Sequence, residues 1–278
     1  LKVNSTTFFI KRIGTDGDIA RAIKLLKDEE YDVAGIGGIN FYYHLGKKKY
    51  PLVDGQKIKK EILRPIADGG FIKPVLDLRA VNLTQKLNLF PPNFTALLTS
   101  YLDRPWLYEG LINAGAQKVF IGDAAFALKL PLFFSRQKLF TLAGILTLPL
   151  LRRIPIKFLY PLGVKQEKNI PRYSKIFARC QVVAGDFHFL RRYCPDLTGK
   201  VIITTTLREE DILFLKGKGA FGVVGSGGDF RGISPGANLL EALACAYFMK
   251  NPGEITKEEY ANFLEAISYK PLVQIFSK

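Results

Sequence analysis

Histidine, cysteine and acidic residues are scarce in this 278-residue chain, and each scarcity removes a class of function. Two histidines, His44 and His188, are too few to expect a zinc site. The three cysteines, Cys180, Cys194 and Cys245, are odd in number and lack metal-ligand spacing. They argue against a disulfide framework and fit a reducing, cytoplasmic setting. Long apolar runs are also missing. The longest uncharged one, Leu139 to Leu151, has 13 residues and contains Pro149, whereas a membrane span needs about 20. No signal-peptide pattern is visible, and the start at Leu1 leaves a preceding segment to be expected.

Acids are outnumbered, with 25 Asp and Glu against 40 Lys and Arg, for a net charge of +15. The excess is concentrated. Between Ala124 and Gly185 eleven basic residues face one acid, Glu167, which gives +10 in that segment. Such a field attracts phosphorylated ligands, nucleic acid or an anionic membrane surface, although a generally basic surface that aids solubility accounts for it equally well. Nucleic acid ranks last, because no stacking platform or named module accompanies the charge.

An apolar share of 48% suits a folded chain long enough for one large domain or two smaller ones. Strand-like and helical patterns alternate. Phe8 to Ile13, Asp32 to Ile36, Ile72 to Asp77, Lys118 to Ile121, Gln181 to Ala184, Val201 to Thr205 and Phe221 to Val224 read as strands. Helical spacing follows Asp18, Asp123, Asp186 and Arg208, and returns over 236–248 and 256–267. In the last of these, Thr256 and Glu259 form a capping box. Pro271 to Phe276 reads as an edge strand.

The stretches TDGDIARAIKLLKDEEYDVAGIGG and TTLREEDILFLKGKGAFGVVGSGG align as two βαβ units ending in G-x-G-G. The expected fold is α/β, a mostly parallel, Rossmann-like sheet from repeated βαβ units. Two lobes, 1–92 and 93–278, would hinge at Asn88 to Asn93.

Parallel sheets bind ligands outside the carboxyl ends of their strands. Asp77, Asp123 and Asp186 fall there. They read as ribose or acid–base carboxylates, or, with more weight for any one of them, as helix N-caps. Asp16 and Asp18 carry the same two readings, with capping favoured. Gly35, Gly37, Gly38, Gly225, Gly227 and Gly228 could bring amides to a phosphate, although neither turn is a G-x-G-x-x-G or Walker fingerprint. Arg231 and Ser234, ahead of the 236–248 helix, add a candidate anion site. His188, with Asp186, is a candidate general acid–base group, set against its reading as a packing residue. Arg191, Arg192 and Lys165 are candidate substrate binders. No metal site is expected. Phe133 to Ile154 pairs an apolar helix with Arg136, Lys138, Arg152 and Arg153 at its ends, a membrane-surface pattern. A buried core helix gives the same apolar count and is the expectation.

The stretches RIGTDGDIARAIKLL, DVAGIGGINFYY, VAGDFHFLRRYCPDLTGKVIITTT and GISPGANLLEALACAYF resemble, in order along nearly the whole chain, a bacterial family that carries the label quinate 5-dehydrogenase. The resemblance implies a Rossmann-like fold and nicotinamide chemistry. A shikimate-type dehydrogenase would carry a lysine–aspartate catalytic pair in recognisable motifs and a dinucleotide glycine fingerprint, and neither is found in this sequence. The expected function is therefore an NAD- or NADP-dependent oxidoreductase acting on a small hydroxy or keto acid. The alternative is a non-redox protein that binds an anionic metabolite or nucleotide, peripheral to a membrane.

Overall fold

The computed structural model describes residues 1–3, 6–15, 17–160, 168–228 and 234–276. The N-terminal part contains β1 (Lys2–Val3), β2 (Thr6–Thr7), α1 (Ile19–Asp28), β3 (Ala34–Gly35), β4 (Tyr42–Leu45), β5 (Lys48–Pro51), α2 (Val53–Glu61) and β6 (Ile66–Ala67). Its pairings are local: β1 with β2, a β4–β5 hairpin, and a two-residue parallel match of β3 with β6. Phe8 to Ile13 is therefore not a strand. Phe8 is tied to Leu1, its amide to the Leu1 carbonyl at 2.6 Å and its carbonyl to the Leu1 amine at 2.8 Å, while Phe9 and Ile10 face solvent. Without that strand the first of the two proposed βαβ units is not built.

After α3 (Lys73–Lys86), the chain forms β7 (Thr95–Leu98), α4 (Pro105–Asn113), β8 (Lys118–Ile121), α5 (Asp123–Phe126), α6 (Gln137–Leu151), α7 (Ile156–Leu159) and α8 (Ser174–Arg179). It continues with β9 (Val182–Ala184), α9 (Phe187–Tyr193), β10 (Val201–Thr204), α10 (Glu209–Gly217), β11 (Gly222–Gly225), α11 (Ala237–Phe248), α12 (Lys257–Ala266) and β12 (Leu272–Ile275). Six strands make one sheet in the order β12-β11-β10-β9-β7-β8. Five are parallel, and β12 closes one edge antiparallel. The second βαβ unit, β10–α10–β11, stands as expected, with Val201 opposite Gly222.

The strand residues alternate between two cores. Leu98, Ile121, Ala184, Ile203 and Val224 pack against α3, α4 and α6 on one face. Leu97, Val183, Ile202 and Val223 pack against α8, α9 and α10 on the other. Helices thus cover both faces, which is why β9, β10 and β11 read as unbroken apolar runs. The chain leaves β7 toward β8 on one side and reaches β9 on the other, so strand order reverses between β7 and β9.

Ile72 to Asp77, read above as a strand, is the start of α3. Pro74 sits in its first turn, where a missing N–H costs nothing. Glu241, fully buried on α11, accepts the amides of Gly69 at 2.9 Å, Phe71 at 2.7 Å and Ile72 at 2.9 Å. One carboxylate thus satisfies orphan donors of this helix start. Burial, reinforced by the charge of Asp68, pushes Glu241 above the usual carboxylate range, while the three amides pull it back.

Glu241→Ala would strand these amides in the interior. We expect a loss of at least about 3 kcal/mol in denaturant unfolding. A loss within about 0.5 kcal/mol, the range of a neutral surface change, would count against the clamp.

Candidate functional site

The strand-order reversal places the loop after β7 beside the loop after β9. Gly185 follows β9 with φ +121°, and any side chain there would run into the Thr99 and Ser100 hydroxyls. Ser100 Oγ accepts the Asp186 amide at 3.0 Å, and Thr204 Oγ1 donates to the Gly185 carbonyl at 2.8 Å. Asp123, just past β8, takes the amides of Tyr101 at 2.8 Å and Leu102 at 2.9 Å. Burial raises its carboxyl to about 7 against the pull of those donors. Asp123 thereby shapes the 99–104 loop and presents Asp103 and Arg104.

Those two residues meet α3. Lys73 Nζ lies 2.5 Å from Asp103 Oδ1 and donates to Asn40 Oδ1 at 3.0 Å. Arg104 pairs with Asp77, reaches Ser226 Oγ at 3.2 Å just past β11, and lies 3.7 Å from Asp103. All four charged side chains are buried or nearly so, with exposures of 8% and 14% for Lys73 and Asp103 and 4% and 0% for Arg104 and Asp77. Burial lifts Asp77 to about 6 even though Arg104 opposes it. For Asp103 the balance reverses: Lys73 and Arg104 overcome burial and hold the carboxyl below its ordinary value. His44, edge-on to Trp106 at 5.0 Å, is pushed by burial down to about 4 and is a neutral imidazole beside this cluster. Thr99 Oγ1, Asp77 Oδ2 and Arg104 Nε are buried with no hydrogen-bond partner.

The residues expected from sequence fall into several places. Asp77 reaches the sheet edge, but from inside α3 rather than from a strand end. Asp186 caps α9, accepting the His188 amide at 2.8 Å as well as the Tyr160 hydroxyl. The His188 ring lies edge-on to Tyr160, centroids 5.8 Å apart. Arg191 points away from this edge to pair with Asp211 at the start of α10 and lies over Phe214. Arg192 lies over Tyr193 at 5.6 Å. Asp18 caps α1 through the Arg21 amide. Lys165, Arg231 and Asp16 lie outside the described residues.

Both glycine turns converge on the start of α11. Gly35 and Gly37 abut Asn238, and a Cβ on Gly35 would come within 2.9 Å of its carbonyl oxygen. A Cβ on Gly227 would meet Ser234 Oγ at 2.6 Å and the Pro235 carbonyl at 2.7 Å. Gly38 and Gly228 take positive φ, and Gly225 is the last residue of β11. These glycines allow close packing of chain on chain. The Asn238 side chain folds back over Gly236 and lies against Gly35 and Gly37. Around Gly35 and Gly37 the space next to this helix start is thus taken by Asn238. The Ser234 hydroxyl is buried there without a partner.

Sequence reading missed Lys73, Asp103, Arg104 and Glu241. Lys73 and Asp103 are 30 residues apart with no motif between them. Glu241 did leave a trace, as the one acid in the otherwise apolar helix ANLLEALACAYF.

Fold and site together define an α/β protein with a buried ionic cluster at the carboxyl edge of a mostly parallel sheet. Residues 71–276 match the model of a family described as Domain of unknown function (DUF8754), and the chain belongs to that family. Residues 1–68 match a second model, Domain of unknown function (DUF8753). No curated protein and no solved structure matches the chain.

Arg104→Met should cost about 3–5 kcal/mol, because Asp77 would be left buried without its counter-ion and hydrogen-bond donor. Arg104→Met with Asp77→Leu should recover most of that in urea unfolding. No recovery would mean that the two residues do not act as a pair.

The raised carboxyls also set a pH dependence. Asp77 and Asp123 hold their protons better folded than unfolded. Their contribution is complete below the ordinary value of 3.8 and is lost as pH rises through about 6 and about 7. Tm should fall by roughly 5 °C or more from pH 4.5 to 7.5, less steeply in Asp77→Asn. A wild-type Tm that climbs over that window would contradict the protonated carboxyls.

Proposed function

We propose that this chain is a Rossmann-like, non-redox protein that binds a small anionic, hydroxylated metabolite at the carboxyl edges of β7 and β9. One observation carries the reading. At the strand-order reversal, where open α/β sheets take their ligands, Thr99, Asp77 and Arg104 hold buried polar atoms without partners. Lys73 and Arg104 supply cationic donors to a carboxylate or phosphate. Lys73 can donate to, and Asp103 accept from, a ligand hydroxyl. The basic excess of 124–185 draws anions toward the protein.

A second reading, oxidation of a hydroxy acid with NAD or NADP, draws on the same pair. A lysine and an aspartate in contact are what the quinate-dehydrogenase resemblance would call for. The packed start of α11 weighs against it, so no hydride step is assigned.

Thermal shift separates the readings, using quinate, inorganic phosphate, NAD, NADH, NADP and NADPH as separate probes. Stabilisation by quinate or phosphate, reduced at least about tenfold in apparent affinity in the stable Arg104→Met/Asp77→Leu protein, supports the metabolite site. A shift with a nicotinamide cofactor favours the oxidoreductase. No shift with any of the six removes the proposed site for these ligands.

A further inference from the structure

The α6 helix has two apolar faces, and the fold uses one. Phe140, Gly144 and Leu148, spaced four apart, are buried on the core side. Gly144 lets the β4–β5 hairpin come close: a Cβ there would stand 2.7 Å from Leu45 Cδ2. On the opposite side Leu139, Leu142, Leu146 and Leu150 are exposed by 52%, 58%, 70% and 68%. At 3.6 residues per turn and about 1.5 Å rise per residue those four fall on one stripe about 17 Å long. The expectation of a wholly buried core helix is thus overturned: half-covered leucines line its outer face. Contiguous exposure of this kind marks an interaction surface.

Charge selects the partner. No acid occurs between Asp123 and Glu167, while seven basic residues do. Arg136 caps the start of α6 and Lys138 lies in its first turn; Arg152 and Arg153 follow its end. A symmetric second copy would bring the basic ends of two such helices together with no acid from this segment to offset them. An anionic lipid surface offers hydrocarbon to the leucines and negative headgroups to both basic ends. No helix among the described residues is long and apolar enough to cross a membrane, so the helix would lie in the plane.

We propose that α6 seats this protein on an anionic bilayer, with Leu139, Leu142, Leu146 and Leu150 entering the headgroup–acyl boundary and the flanking arginines and Lys138 contacting lipid phosphates. This does not depend on the metabolite site. The test is flotation of the full chain with vesicles of phosphatidylcholine containing about one-third phosphatidylserine, and with phosphatidylcholine alone. Wild type should float with the anionic vesicles, and added salt should weaken the effect. Leu142→Glu/Leu146→Glu, on exposed positions and checked for an unchanged Tm, should float roughly tenfold less. Leu142→Ala/Leu146→Ala should fall between the two and serves if the glutamates disturb folding. Wild type left at the bottom of the gradient overturns the proposal. So does equal flotation of wild type and both variants, or a solution dimer that the leucine variants dissolve while lipid binding is absent.

Discussion

The helix start at Gly69 to Ile72, held by the buried carboxylate of Glu241, is the constraint on which the candidate site depends. It lies where the two family matches meet, one ending at residue 68 and the other beginning at 71. The clamp comes from α11, some 170 residues further along the chain. It sets the register of α3, which in turn decides where Lys73 and Asp77 sit. Gly69, with φ +86°, lies against Ala237 and Asn238 at the start of α11, so the backbone approach and the carboxylate fasten the same junction. Asp68 adds a second tie through the Phe41 amide at 2.6 Å.

The cluster that results is held together by opposed terms. Four buried charged side chains lose hydration, and their pairing restores much of it only because each pair is close. Arg104 shows how tightly this is drawn: it lies near Asp77, Asp103 and Ser226 at once. A buried ion pair of this sort is weak evidence for stability as such, since well-packed apolar residues of similar volume often do as well. That polar groups stand here, at the sheet edge, rather than leucines, is what makes the position a candidate site.

Much of the sheet was legible because its strands are buried on both faces and therefore announce themselves as apolar, β-branched runs. Val201 to Thr204 and Gly222 to Gly225 needed nothing else. The errors share a cause. Phe8 to Ile13 and Ile72 to Asp77 are also short apolar runs, which periodicity alone cannot divide between strand, coil and helix. For Ile72 to Asp77 the answer was supplied by Glu241, a tertiary partner that local propensity cannot see. The G-x-G-G turns read as strand-end turns able to reach a phosphate, but what lies against Gly35 and Gly37 is Asn238, and packing of that kind is not written in spacing. The Lys73–Asp103 contact exists only because Asp123 folds the 99–104 loop over α3.

The β4–β5 hairpin joins the two ends of this picture. Leu45 packs into the space left by Gly144 on α6, and the His44 amide beside it donates to the Leu102 carbonyl at 2.7 Å. Leu102 in turn gives its own amide to Asp123 and immediately precedes Asp103. A four-residue strand therefore seats the inner face of α6 with one residue and braces the loop of the ionic cluster with the previous one. Close packing through a glycine leaves α6 little freedom to sink or rotate, because overpacked contacts resist displacement. The outer leucine stripe is accordingly presented in a fixed orientation, and its distance from the Lys73–Asp103 pair is set by the fold.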